Sequence, residues 1–246
     1  MCENQEPSYY FCVFFSSALM TYALYIGVYK FLALVYKDKF DAIKEVTDKQ
    51  TGEKIDKRPY VAKNVAKSIL LCCISLMGIP FALYPILVDD VWCSHIMRTI
   101  AAIYGSIDFM ALIVVPNLPQ TTIIHHVVST ALIFTSFFVP FEGINISRLL
   151  AIYAILSTYA FSVNMYLGMK WLGVYNRLRV FAMYNYILCC AINWSLILFT
   201  IHSHYTLGGL TFWYVIVLTL MMGLVRDDLI LIKWLYNDDQ KRKKVE

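Results

Sequence analysis

The chain has 246 residues, 59% of them hydrophobic and 15% charged, with a formal net charge of +4 and a mean hydropathy of +0.60. Soluble domains carry roughly 25% charged residues, so this composition excludes an ordinary water-soluble domain. The excess base is confined to a few connections and forms no nucleic-acid-binding surface, so no nucleic acid is expected as a partner.

Taken in chain order, the apolar runs predict seven spans, near residues 9–36, 66–88, 96–115, 121–141, 146–172, 178–202 and 207–225. Each is about the length needed to cross a bilayer, and each should be helical, because a helix satisfies its own backbone polar groups in lipid. The expected fold is therefore an all-α polytopic membrane bundle. Residues 1–59 form a first span and a basic connection, 60–236 a six-helix membrane domain, and 237–246 a basic tail. The first eight residues carry two acids and no base, unlike the basic start of a cleaved signal peptide. Pro80 and Pro85 mark the second span as the one with a break. Five of the seven cysteines (Cys2, Cys12, Cys72, Cys73, Cys93, Cys189 and Cys190) lie in apolar runs, where Cys packs as a small hydrophobe. Neither a zinc site nor a disulfide framework is indicated.

Lysine and arginine set the orientation. Segments 37–67, 170–179 and 226–246 hold nine, three and six of them, while 1–8, 89–95, 142–147 and 203–206 hold none. The positive-inside rule then places the N-terminus on the lumenal side and the C-terminus in the cytosol. The terminal pair Lys243-Lys244 has the spacing of a dilysine retrieval signal, a receptor-read address of endoplasmic reticulum membrane proteins. Asn145-Ile146-Ser147 is formally a glycosylation sequon, expected to stay unmodified so close to the membrane.

Ionisable side chains inside spans are costly and usually face a bundle interior or a wet cavity. Asp108 interrupts the third span, and His125 and His126 stand together on the fourth. From the turn at 117–120, Asp108 lies roughly 12 Å deep and His125 roughly 8 Å deep at ~1.5 Å per residue, at similar depth on adjacent antiparallel helices. A carboxylate beside an imidazole fixes its tautomer, as in a general base or acyl acceptor; the bland alternative is a polar pair that orients two helices. Consecutive histidines diverge by about 100°, so only one need face Asp108. The same depth is reached near Ser157 and Asn164 on the fifth span and near Tyr184 and Asn185 on the sixth, either as pocket lining or as interhelical hydrogen-bonding groups. Two adjacent histidines without nearby Cys or further carboxylates make a poor metal site, so no metal is expected.

These residues resemble the TLC-domain membrane proteins, whose best-known members are the ceramide synthases. The resemblance covers roughly residues 60–236. It rests on Asp108 about seventeen residues before an adjacent His pair, on HisHisValValSerThr, and on Asn145 and Arg148 three apart at the next span. It implies a multi-span helical protein of the endoplasmic reticulum with a polar pocket in the bundle, and His125, His126 and Asp108 as catalytic candidates. The chain departs from the synthases at Ser157, Thr158, Phe161 and Met165, where they carry His-Asp and two further acids. It is closer to the non-synthase members, involved in membrane lipid composition. The implied function is binding or moving sphingolipid-like or acyl-chain lipids. The alternative is acyl transfer to a long-chain amine or hydroxyl, with acyl-CoA as co-substrate and no other cofactor. An elongase would carry a third His where Thr122 stands, and a retinal protein would need a lysine in the last span.

Overall fold

A computed structural model describes residues 5–47, 52–116, 118, 120–144, 146–174, 176–207 and 212–243. Asn145 and Lys244 lie outside them, and Lys243 is the final residue of the last helix. The chain is almost wholly helical: α1 (Pro7–Val35), α2 (Lys37–Ala42), α3 (Arg58–Gly78), α4 (Tyr84–Asp89), α5 (Ser94–Val114), α6 (Gln120–Ser136), α7 (Ser147–Ser157), α8 (Phe161–Met169), α9 (Asn176–Thr206) and α10 (Phe212–Lys243). The one described sheet is a two-residue antiparallel pair, β1 (Val46–Thr47) with β2 (Lys54–Ile55), in the basic connection. Among the described residues five helical stretches are long and apolar enough to cross a membrane: Pro7–Val35, Arg58–Asp89, Ser94–Val114, Ser147–Leu172 and Arg177–Thr206. Their outer faces stay apolar, with Leu19, Leu34, Met77, Leu198 and Phe199 all more than half exposed, a surface that water would penalise and lipid would not.

Two of the apolar runs are irregular inside. Between α3 and α4 the backbone makes a π-turn over Ile79–Leu83, at the prolines that foretold a break, since Pro80 cannot donate to the helical ladder. Between α7 and α8 the chain tightens to a 3₁₀ turn over Thr158–Ala160. Here the Thr158 hydroxyl donates to Ile155 O and receives a bond from Ser75 Oγ at 2.9 Å, pinning this turn to α3.

Helix α1 packs on α5 and α3, α3 on α8, α5 on α6, and α9 on α7, α8 and α10. The α1–α5–α6 contact is aromatic: Tyr10, Phe14 and Phe137 are fully buried there. Two glycines permit close approaches that any side chain would obstruct. A Cβ on Gly105 would lie 2.5 Å from Ile133 Cδ1, and one on Gly168 would lie 2.8 Å from Val65 Cγ2 and 3.1 Å from the Val61 carbonyl. The first brings α5 against α6, the two helices that carry Asp108 and the histidines.

The fold differs from the sequence reading at Cys93 and at the last helix. Cys93, immediately before α5, is disulfide-bonded, whereas Cys12, Cys72, Cys73, Cys189 and Cys190 are free. The last helix does not end at Val225; α10 continues through Arg226-Asp227-Asp228 to Lys243. The apolar run resumes at Leu229-Ile230-Leu231-Ile232, so the three charges are an interruption of one helix.

Candidate functional site

Asp108 is 1% exposed and is held from two neighbouring helices, α3 and α6. Lys67 Nζ of α3 lies 2.5 Å from its Oδ1. His126 Nδ1 of α6 lies 3.3 Å from the same oxygen, without the alignment of a hydrogen bond, so both ring nitrogens are buried and lack a hydrogen-bond partner. Ser129 Oγ of α6 donates to Oδ2 at 3.3 Å. Asp108 and the His pair thus meet where the depth argument put them. Lys67 was the partner not foreseen. The sequence puts it at the junction of the basic connection 37–67 and the span 66–88, but α3 begins at Arg58, which carries Lys67 two and a half turns into a helix. Its place inside the predicted span 66–88, four residues before Leu71, was the available signal.

The two histidines diverge. His126 is buried behind the wall beside Asp108, while His125 lines a cavity of ≈ 270 Å³, with its Nδ1 3.8 Å from Asp227 Oδ2. The cavity is walled by residues of α3 and α5–α10, none of them from α1. Its lining is mostly aliphatic, including Leu71, Ile100, Leu132, Leu150, Ile155 and Leu231. Lys67, Ser129, Ser157 and Asn164 also face it; Asn164 Nδ2 donates to Ala160 O of its own turn at 3.2 Å.

The sixth-span expectations divide. Tyr184 is 64% exposed and turned outward, so it belongs to neither pocket nor helix packing. Asn185 is an interhelical tie, donating to Tyr159 O at 2.7 Å and Ser162 Oγ at 2.8 Å. The face of α9 that does line the cavity carries Tyr186, Cys189, Cys190 and Asn193, at the 3–4 residue spacing of one helix face.

The cavity holds a second carboxylate, one that lies just past the last predicted span, 207–225. Asp228 of α10 is 9% exposed and lines the cavity. Tyr186 OH donates to Oδ1 at 2.7 Å, Tyr153 OH reaches both oxygens at 3.3 Å, and Trp194 Nε1 donates to Oδ2 at 3.3 Å. Its signal in the sequence was the apolar run continuing on both sides of the charges.

Asp108, His125 and His126 each offer a ligand atom, all within 4.8 Å of one another. The carboxylate missing from the sequence argument against a metal is therefore present. A divalent cation placed there would share Asp108 with the Lys67 ammonium, and like-charge repulsion at such range in a low dielectric is severe.

These features define an all-α bundle of membrane-length apolar helices around a largely aliphatic cavity, lined by Lys67 of a buried ion pair and by the buried carboxylate Asp228. No family model matches the chain, and neither a curated protein nor a solved structure is detectably similar to it.

Proposed function

We propose that the protein is a multi-pass membrane protein of the TLC-domain type that binds or moves sphingolipid-like or other acyl-chain lipids in this cavity, and so acts in membrane lipid homeostasis. The carrying observation is the cavity itself: aliphatic walls with a few polar groups are the make-up of a ligand site, here suited to a chain with a polar end. Its ≈ 270 Å³ is near the lower edge of the ~300–1,000 Å³ usual for ligand pockets, which favours a single chain over a two-chain lipid. In the test, the purified protein in nanodiscs should carry a stoichiometric lipid by native mass spectrometry, and Ala154→Phe, which fills the cavity wall, should expel it. A lipid-free protein, or one whose lipid is indifferent to Ala154→Phe, would sink the reading.

A second reading, acyl transfer, is favoured by one observation: His125 faces the cavity. Its ring nitrogen would attack the acyl-CoA thioester carbonyl and expel the CoA thiolate. The acyl-imidazole would then pass its acyl group to an amine or hydroxyl. Carboxylates absent from the fifth span are available from α10. A hydroxylamine-labile acyl mass on the His125 peptide, absent in His125→Ala, is the outcome that would select this reading.

The proposed topology is seven crossings, N-terminus lumenal and C-terminus cytosolic, in the endoplasmic reticulum. The 17-residue α6 is roughly 26 Å long at ~1.5 Å per residue, short of but close to the ~30 Å hydrocarbon core. A disulfide at Cys93, in the base-free segment 89–95, suits an oxidising lumen. In sealed microsomes a tag after Glu246 should be open to protease, and Lys243→Ser with Lys244→Ser should release the tagged chain from the reticulum. A shielded tag, or unchanged reticular staining, would refute the respective half.

A further inference from the structure

We propose that Arg98 forms an anion site outside the cavity, at the end of the bundle where α5 begins beside α1, and that its occupant is the phosphodiester of a membrane phospholipid. The site does not depend on what the cavity holds.

The first observation is a charge that cannot be switched off and has no counter-charge. Arginine stays protonated in proteins, and Arg98 is 7% exposed. No Asp or Glu oxygen of the described residues lies within 4.0 Å of it. A guanidinium offers five N–H donors, and the described residues supply one acceptor, the Val139 carbonyl, 3.0 Å from Nη2. Nε is buried without a partner. Nη1 makes no hydrogen bond within the described residues either, but unlike Nε it is not sealed from the surface. The Tyr10 ring, 5.5 Å from Cζ, attracts the cation and leaves its charge uncancelled. Buried charges in proteins are as a rule paired. An anion is therefore missing here, and Nη1 is the edge at which it can enter.

The second observation is where this edge lies. Arg98 stands four residues past Ser94, the first residue of α5, roughly 6 Å from the helix start at ~1.5 Å per residue. A long cationic side chain at that depth reaches the head-group level by snorkelling. Its surroundings are aromatic. His95, one turn earlier on the same face, places Nδ1 3.2 Å from Tyr10 OH and its ring 5.7 Å from that of Tyr9. Tyr9 is 42% exposed, and Phe138, which packs on Phe11, is 63% exposed. Aromatic rings gather at the boundary of bilayer and water, the level at which phospholipids carry their phosphates. A guanidinium matches phosphate oxygens in charge and geometry, and the exposed rings offer apolar surface to the chains below. A free phosphate shares the first contact and lacks the second. The site is separate from the cavity: Met97 and Ala101 line the cavity, but Arg98, His95 and Tyr10 do not.

The test titrates the delipidated full-length protein in detergent with two chain-matched probes, dioleoylphosphatidylcholine and dioleoylglycerol, read by native mass spectrometry. The phospholipid should bind roughly tenfold or more tighter than the diglyceride, the range of one charge-assisted hydrogen bond. Arg98→Met should abolish that preference. Arg98→Lys, which keeps the charge and loses the planar fork, should reduce it severalfold, and decides the matter if Arg98→Met does not fold. Ala154→Phe, which fills the cavity wall, should leave the preference intact. Equal binding of the two probes by the wild type, a preference undiminished in either Arg98 variant, or one lost in Ala154→Phe overturns the site, whether or not the cavity itself holds a lipid. An excess of inorganic phosphate should leave the phospholipid bound; full displacement would make the occupant a free phosphate and overturn the assignment to lipid.

Discussion

Asp108 and Asp228 are both aspartates in apolar helices and both nearly inaccessible; Asp228 lines the cavity, and Asp108 lies behind it, bonded to the lining residues Lys67 and Ser129. Their surroundings differ in one respect. Asp108 has an ammonium on it, Lys67 at 2.5 Å; Asp228 has three neutral donors and no cation. Inside low-dielectric surroundings that difference decides what each can do. A buried ion pair is internally compensated, and its removal in part is costly because the surviving charge is stranded. A buried carboxylate held only by neutral donors has no partner charge to strand when it is changed.

Substitutions can break this comparison. Lys67→Met strands Asp108, which is 1% exposed and too short to reach water, so a loss of about 3–5 kcal/mol is expected, read as unfolding in detergent. Asp108→Asn should cost less, because the long Lys67 stem can carry its ammonium toward a wetter position. Replacing both, as Lys67→Met with Asp108→Leu, should recover most of the loss. Asp228→Asn in the ligand-free protein should change stability by no more than about 1 kcal/mol, since no partner charge is stranded. A large loss in Asp228→Asn, or none in Lys67→Met, would reverse the assignment of roles.

From the sequence, Asp108→Asn looks like a mild probe of catalysis, because it preserves size and hydrogen bonding. Lys67 changes that: an Asn there leaves a half-hidden ammonium, so lost activity alone would not separate chemistry from folding. The helices themselves were legible because twenty-residue apolar runs carry a strong, local signal. So was the meeting of Asp108 with the His pair, which needed only the rise per residue and a short hairpin. What stayed illegible depended on contacts between distant helices. Lys67 read as loop because it closes a run of bases that reaches back to Lys37, and Asp228 fell outside the last predicted span because three adjacent charges resemble a boundary. That Tyr184 faces outward while Tyr186 faces the cavity is a matter of helix rotation. The fifth and sixth spans have little contrast between their faces to fix it. The Cys93 disulfide left no trace in the spacing of the cysteines.

A third carboxylate, at the aqueous end of the bundle, calibrates the scale. Glu142, exposed in the loop between α6 and α7, accepts from the Ser94 backbone N–H at 2.9 Å and from the Ser94 hydroxyl, while Ser94 Oγ accepts from Phe141 N–H at 2.8 Å. It thus caps the N-terminus of α5, where orphan amides and the helix dipole favour an anion. Burial works against its charged form, but the Ser94 hydroxyl and amide, with loop amides at Glu142 and Phe141, outweigh that and hold the carboxyl below its ordinary value. The sign follows from linkage: a depressed folded pKa means stability that is complete at neutral pH and is lost as pH falls below about 4.3 through the folded value. Solvent screening keeps the amount under about 1 kcal/mol. Glu142→Gln should therefore lower the unfolding midpoint slightly at pH 7, and the wild type and variant should converge by about pH 3. A gap that persists undiminished into acid would mean that the side chain's shape, and not its charge, holds the start of α5. The electrostatic scale applied to the two buried aspartates would then need revising downward.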